Sequence, residues 1–308
     1  MKTILKVLLL VFIFIITSTQ TFAVTKNGFD LSNSIIDKNK ILSGGPSKDG
    51  IPSIDKPKFI DIEDVHYLRD DDIIIGLEHN GIQKAYPTRI LIWHEIVNDT
   101  ISTLDIAVTY CPLCGTAMVF DRDIDGKLRS FGVSGLLYQS DVLMYDRETN
   151  SLWSQLAMKS VSGKSVSTEL KWLPSQHITW KAWRTKYPHS KVLSLDTGYN
   201  RNYYSTPYSD YLNSDDVMFP VPKNRDDLSD KTWVVGVIID GIAKAYDVNK
   251  LPNKKEVKDT IGKTNIIIKY DKEKNHPHIV TEDKKEIASV LVYWFAWQAF
   301  YPNTEIWK

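Results

Sequence analysis

Cys111 and Cys114 are the only cysteines in the chain. They are separated by two residues within Thr109-Tyr110-Cys111-Pro112-Leu113-Cys114-Gly115. Two soft, redox-active sulfurs in one turn can bind a metal, cycle between dithiol and disulfide, or staple the turn. They are too few for an iron–sulfur cluster without several histidines. A closed zinc site would need a second Cys/His pair at finger spacing, which is absent. Cu(I) accepts fewer ligands and favours sulfur. The metal reading therefore takes Cys111 and Cys114 as thiolate ligands and His94 as the third, with Cu(I) before Zn(II). Met118 and Met144 could add a thioether, although Met is also common core filler. His94, beside Trp93, equally fits a structural histidine.

The same sulfurs support a metal-free alternative, a thiol–disulfide oxidoreductase with Cys111 and Cys114 as its catalytic pair. Pro112 would tune the geometry of such a pair. Against it, a thioredoxin-like motif opens a helix, whereas Ala117-Met118-Val119-Phe120 reads as strand. A structural or binding module with a turn disulfide is the third reading. No phosphate-binding glycine loop, nucleotide or flavin motif, Gly-x-Ser-x-Gly or His-Glu-x-x-His is present. Asp121, Asp123, Asp125 and Gly126 resemble a calcium loop, but Gly132 stands where its twelfth, acidic ligand belongs. These residues leave open whether the chain is an enzyme.

The elements that must position the turn begin after a leader. Lys2 and Lys6, the apolar run 7–16 and Thr21-Phe22-Ala23 have the form of a secretory signal peptide cleaved after Ala23. The expected product is secreted or periplasmic, with no membrane span after cleavage. The chain has 38 Lys+Arg against 38 Asp+Glu, which gives no electrostatic footprint for nucleic acid. An extracytoplasmic partner or metal donor is the expected company. With 43% hydrophobic residues, nine Trp and fifteen Tyr, the chain can pack a core without disulfides. A secreted chain stabilised by disulfides would carry more cysteines, spaced farther apart.

Residues 24–71 read as an extended arm broken by Gly44-Gly45-Pro46. Asn80-Gly81 between β-rich runs signals a hairpin, and Asp125-Gly126 signals another. Gly76, Gly81, Lys84, Ala85 and Tyr86 recur as Gly236, Gly241, Lys244, Ala245 and Tyr246. Trp180, Trp183, Tyr187 and Pro188 recur as Trp294, Trp297, Tyr301 and Pro302. The expected fold is therefore β-rich α+β, a degenerate tandem duplication of a hairpin-plus-helix unit with its second copy shortened. Residues 72–196 form the first repeat, 197–231 a connecting loop and 232–308 the second repeat. In that register Cys111, Cys114 and His94 become Asp271, Lys274 and Lys254, so special chemistry belongs to the first copy.

Several blocks carry a resemblance: Trp93-His94-Glu95-Ile96-Val97-Asn98-Asp99, Thr109 to Thr116, Phe131-Gly132-Val133-Ser134-Gly135-Leu136-Leu137-Tyr138, Leu143-Met144-Tyr145-Asp146-Arg147 and Ser151-Leu152-Trp153-Ser154-Gln155. With Gly44-Gly45-Pro46 and Lys48-Asp49-Gly50-Ile51-Pro52, they resemble the bacterial and archaeal domain-of-unknown-function family 3179. The resemblance implies a secreted or periplasmic protein whose hallmark blocks gather around the Cys-x-x-Cys, and it implies no particular activity.

Overall fold

Two-residue turns set the local geometry. Asn80-Gly81 joins the strands Ile73–His79 and Ile82–Pro87, with φ of 50° and 78°. Both values are left-handed, as a type I′ turn requires, and Asn-Gly supplies them at little steric cost. Asp240-Gly241 does the same between Trp233–Ile239 and Ile242–Asp247. Asp125-Gly126 closes only the small hairpin Asp123–Ile124 with Lys127–Leu128.

The computed structural model describes residues 24–308. The expected signal peptide, residues 1–23, lies outside the described residues. Among the described residues no helix is long and apolar enough to cross a membrane. Five principal sheets make a propeller-like arrangement. Sheet I runs Lys159–Ser162, Leu152–Ser154, Asp141–Asp146, Phe131–Tyr138 and Ile41–Ser43. Sheet II runs Trp172–Leu173, Thr116–Asp121, Leu104–Cys111 and Ile96–Ile101. Sheet III runs Gln176–Thr179, Ile73–His79, Ile82–Pro87, Lys191–Leu193 and Phe59–Asp61. Sheet IV runs Ser289–Tyr293, Trp233–Ile239, Ile242–Asp247 and Glu305–Ile306. Sheet V runs Glu256–Ile261, Thr264–Asp271 and His276–Thr281.

This architecture corrects the expected α+β duplication. The described residues are 42% strand and 11% helix. The Trp-bearing segments Trp180–Lys186 and Trp294–Phe300 are helices of seven residues, too short to build a helical layer. The matched residues mark a packing device in sheets III and IV. The ring of Trp183 lies on Gly76, where a Cβ would stand 2.1 Å from it, and Trp297 lies on Gly236 at 2.3 Å. Each indole N–H is satisfied inside, Trp183 Nε1 by Ser190 Oγ and Trp297 Nε1 by Thr304 Oγ1, both at 2.9 Å. Removing a buried N–H's only acceptor costs its desolvation. Ser190→Ala is thus expected to lower unfolding free energy by about 1–2 kcal/mol, read by urea titration; an unchanged midpoint would deny the bond any weight.

Contacts between sheets fix the site. Asn98 in sheet II bonds both polar groups of Phe131 in sheet I, at 2.8 and 2.9 Å. Tyr293 N–H, at the end of a sheet IV strand, donates to Cys114 O at 3.0 Å. Cys111, Cys114, Met118, Phe131, Met144, Trp153, Trp294 and Trp297 share one buried apolar cluster.

Candidate metal centre

The Cys turn joins Leu104–Cys111 to Thr116–Asp121, with Cys111 opposite Thr116. Gly115 adopts φ 68°, and a Cβ there would stand 2.2 Å from the Trp233 ring. Only glycine fits both the left-handed backbone and that contact. Tyr211 Oη donates to Leu113 O at 2.6 Å, so the 197–231 connection also clamps the turn. Below it, Gln155 bridges Thr109 and Thr116 through two 2.7 Å hydrogen bonds, which ties the Ser151–Gln155 block to the base of the turn.

A second turn faces the sulfurs. Gln139-Ser140 links Phe131–Tyr138 to Asp141–Asp146, with φ of 52° and 64°. Neither residue is the Gly or Asn that such a turn favours, so its backbone is strained. It aims Ser140 O at the cysteines, where it accepts from Cys114 Sγ at 3.1 Å and lies 3.9 Å from Cys111 Sγ. It also places Asp141 between the sulfurs and Leu156, whose N–H donates to Oδ2 at 3.0 Å. Asp141 Oδ1 is buried with no partner among the described residues. Cys111 Sγ, Cys114 Sγ and an Asp141 carboxylate oxygen lie within 4.8 Å of one another. Asp141 and Cys114 are fully buried and Cys111 nearly so.

Burial dominates the electrostatics. It pushes the Asp141 carboxyl up to about 7, against the pull of the Leu156 and Val142 amides and the two thiols. Burial likewise pushes the Cys114 thiol up, and its bond with Cys111 and the charges of Cys111 and Asp141 add to this. Among the described residues nothing acting on the Cys114 thiol favours its thiolate, which a bound cation would do.

His94 lies outside this group. It ends the Thr88–His94 helix, and its Nδ1 is 2.7 Å from Pro52 O. A carbonyl only accepts, so Nδ1 carries the proton and Nε2 accepts from Tyr203 Oη at 2.7 Å. Thr197 Oγ1 completes the chain at 2.5 Å from Tyr203 Oη. Burial lowers the His94 pKa, which keeps the ring neutral. His94 thus fastens the 197–231 connection and the arm to the helix.

Sequence reasoning missed two carboxyls, Asp141 and Glu95. Glu95 follows the helix in a left-handed conformation at φ 57°. Its N–H donates to Leu91 O and its carbonyl accepts from Tyr110 N, both within the protein. Burial, with the charge of Asp141 adding, pushes its carboxyl up to about 8. Glu95 stands opposite Lys255 when the matched sequence blocks are aligned, a difference that could have singled it out.

Fold and site together define a β-rich, propeller-like protein with a sealed dithiol–carboxylate group. The chain belongs to the family described as Protein of unknown function (DUF3179), whose sequence model matches residues 48–285. That span contains Glu95, Cys111, Cys114 and Asp141. Neither the curated proteins nor the solved structures contain a match.

Proposed function

We propose that the chain binds a transition metal through Cys111 Sγ, Cys114 Sγ and Asp141 Oδ1, with Zn(II) favoured. The observation that carries this is a buried carboxylate that brings an oxygen within 4.8 Å of two free thiols and whose Oδ1 has no hydrogen-bond partner among the described residues. Such a group is costly unless something cationic satisfies it. The donor set also reverses the metal order expected with His94 as third ligand. Thiolates suit both Cu(I) and Zn(II), but a carboxylate is a hard donor that zinc accepts readily. Three protein ligands are the count of zinc sites that keep a further position for water or substrate. Burial of every donor suits retention of the metal for chemistry at the site rather than its rapid hand-over. The proposed setting is extracytoplasmic, where a metal donor could load the chain.

The dithiol reading has one observation in its favour: two free thiols with their sulfurs within 4.8 Å of each other. Exchange with another protein, however, needs an accessible thiolate. Burial and a raised Cys114 thiol oppose both requirements.

Metal analysis of purified protein separates the two. About one zinc per chain is expected in the wild type and almost none in Cys111→Ser or Cys114→Ser, since thiolates are the stronger ligands. Equal, substoichiometric metal in all three would sink the proposal. Disulfide-reductase activity of metal-free wild type, lost in both variants, would move the assignment to the dithiol.

A further inference from the structure

A cavity of about 60 Å³ lies beside the group. Leu113, between the two cysteines, and Val142, next to Asp141, form part of its wall. Ile51 comes from the arm and Phe219 from the 197–231 connection, while Met218, about half exposed, marks its rim. Among its lining residues only Glu95 is acidic, and there is no Lys, Arg or His. The backbone N–H and carbonyl of Glu95 are already used, on Leu91 and Tyr110. Glu95 is only 6% exposed, and no hydrogen bond to its carboxyl is formed among the described residues, which leaves it open to the space it lines. A buried polar group without a protein partner calls for a ligand or water in the space it lines.

We propose that this cavity is a binding chamber for a small neutral molecule carrying one hydrogen-bond acceptor and one donor, such as a one- or two-carbon amide, held by the Glu95 carboxyl beside the Cys111–Cys114–Asp141 group. Size sets the first limit. At about 60 Å³ the cavity holds about four to six waters, each needing roughly 10–15 Å³ of such space, which leaves room for about as many non-hydrogen atoms. Charge sets the second. An anion entering it would find no Lys, Arg or His in the lining to offset its charge, while the mostly apolar wall gives little to a long polar chain. Hydrogen bonding sets the third. A carboxyl kept protonated by burial donates through its O–H and accepts through its C=O, the complement of an amide. The proposal rests on the metal reading only for what the bound molecule meets next, since the chamber itself needs no metal.

Formamide is a suitable probe. In metal-free, methyl-labelled protein, NMR titration is expected to give saturable shifts at Leu113, Val133 and Val142. Glu95→Gln keeps an acceptor and a donor and should retain them, whereas Glu95→Leu should weaken binding about tenfold or more, the loss of a buried hydrogen bond. Shifts that do not saturate in the wild type, or a Leu variant that binds as well, would overturn the proposal. Should the Leu variant not fold, Met218→Trp at the rim serves instead, with about tenfold weaker binding expected and unchanged binding overturning the chamber. The same titration on cobalt-loaded protein reads proximity to the metal. A change in the visible cobalt bands supports the placement, and none, with cobalt bound, refutes it. If cobalt fails to bind, the metal reading falls while the methyl shifts still decide the chamber.

Discussion

Asp141→Asn is expected to weaken zinc binding by at least about a hundredfold while the protein stays folded. Outer hydrogen-bond partners of a metal ligand already cost about ten- to a hundredfold when removed, so loss of a charged ligand should exceed that range. The replacement is nearly isosteric. Its amide oxygen can still accept from the Leu156 N–H that now bonds Oδ2. Its NH2 would sit where the unpartnered Oδ1 lies. In metal-free protein the variant therefore removes an unsatisfied acceptor, and its stability should equal or exceed wild type at neutral pH. Competition against a chromophoric chelator measures the affinity. Unchanged zinc binding would take Asp141 out of the ligand set and leave the two sulfurs alone.

The cysteine turn was legible because nothing else in the chain resembles it. The third member of the cluster was not, for a physical reason. Asp141 looks like any acidic residue opening a strand after a turn, normally solvated, and only the strained Gln139-Ser140 turn brings it against the sulfurs. His94 was attractive because its repeat partner is Lys254, yet the ring serves Pro52 and Tyr203. A residue special to one half need not be a ligand. Hairpins closed by Asn80-Gly81 and Asp240-Gly241 could be read locally, since their φ values follow from residue type. The sheets could not. Gln176–Thr179 joins Ile73–His79, and Phe59–Asp61 and Ile41–Ser43 edge two different sheets, through pairings distant in sequence. The Trp-x-x-Trp spacing was read as half of an α+β unit, but its rings pack on strand glycines and its helices stop after seven residues.

Between about pH 6.5 and pH 8 the metal-free protein is expected to lose about 2–3 kcal/mol of stability as pH rises. Asp141 and Glu95 have folded-state values of about 7 and about 8, above the ordinary 3.8 and 4.5. Over the range where the unfolded chain has lost both protons and the folded chain keeps them, unfolding releases protons. Stability then falls by about 1.4 kcal/mol per pH unit for each protonated group. Below about pH 6.5 a second set opposes this. His177 is lowered to about 4 and His276 to about 3 by burial, and His94 is lowered too. A base that stays neutral in the folded state makes stability rise with pH up to its unfolded value, so the two trends offset one another there. The window above the histidines belongs to the carboxyls, and mostly to Glu95. Urea titrations of chelator-treated protein should show the decline, flattened in Glu95→Gln and less so in Asp141→Asn. A flat wild-type profile, or a Glu95→Gln profile as steep as wild type, would contradict the buried neutral carboxyl. Bound zinc should reverse the sign, because uptake expels the protons of Asp141 and both thiols and so strengthens as pH rises. Opposite slopes with and without metal would tie the carboxyl and the sulfurs to one site.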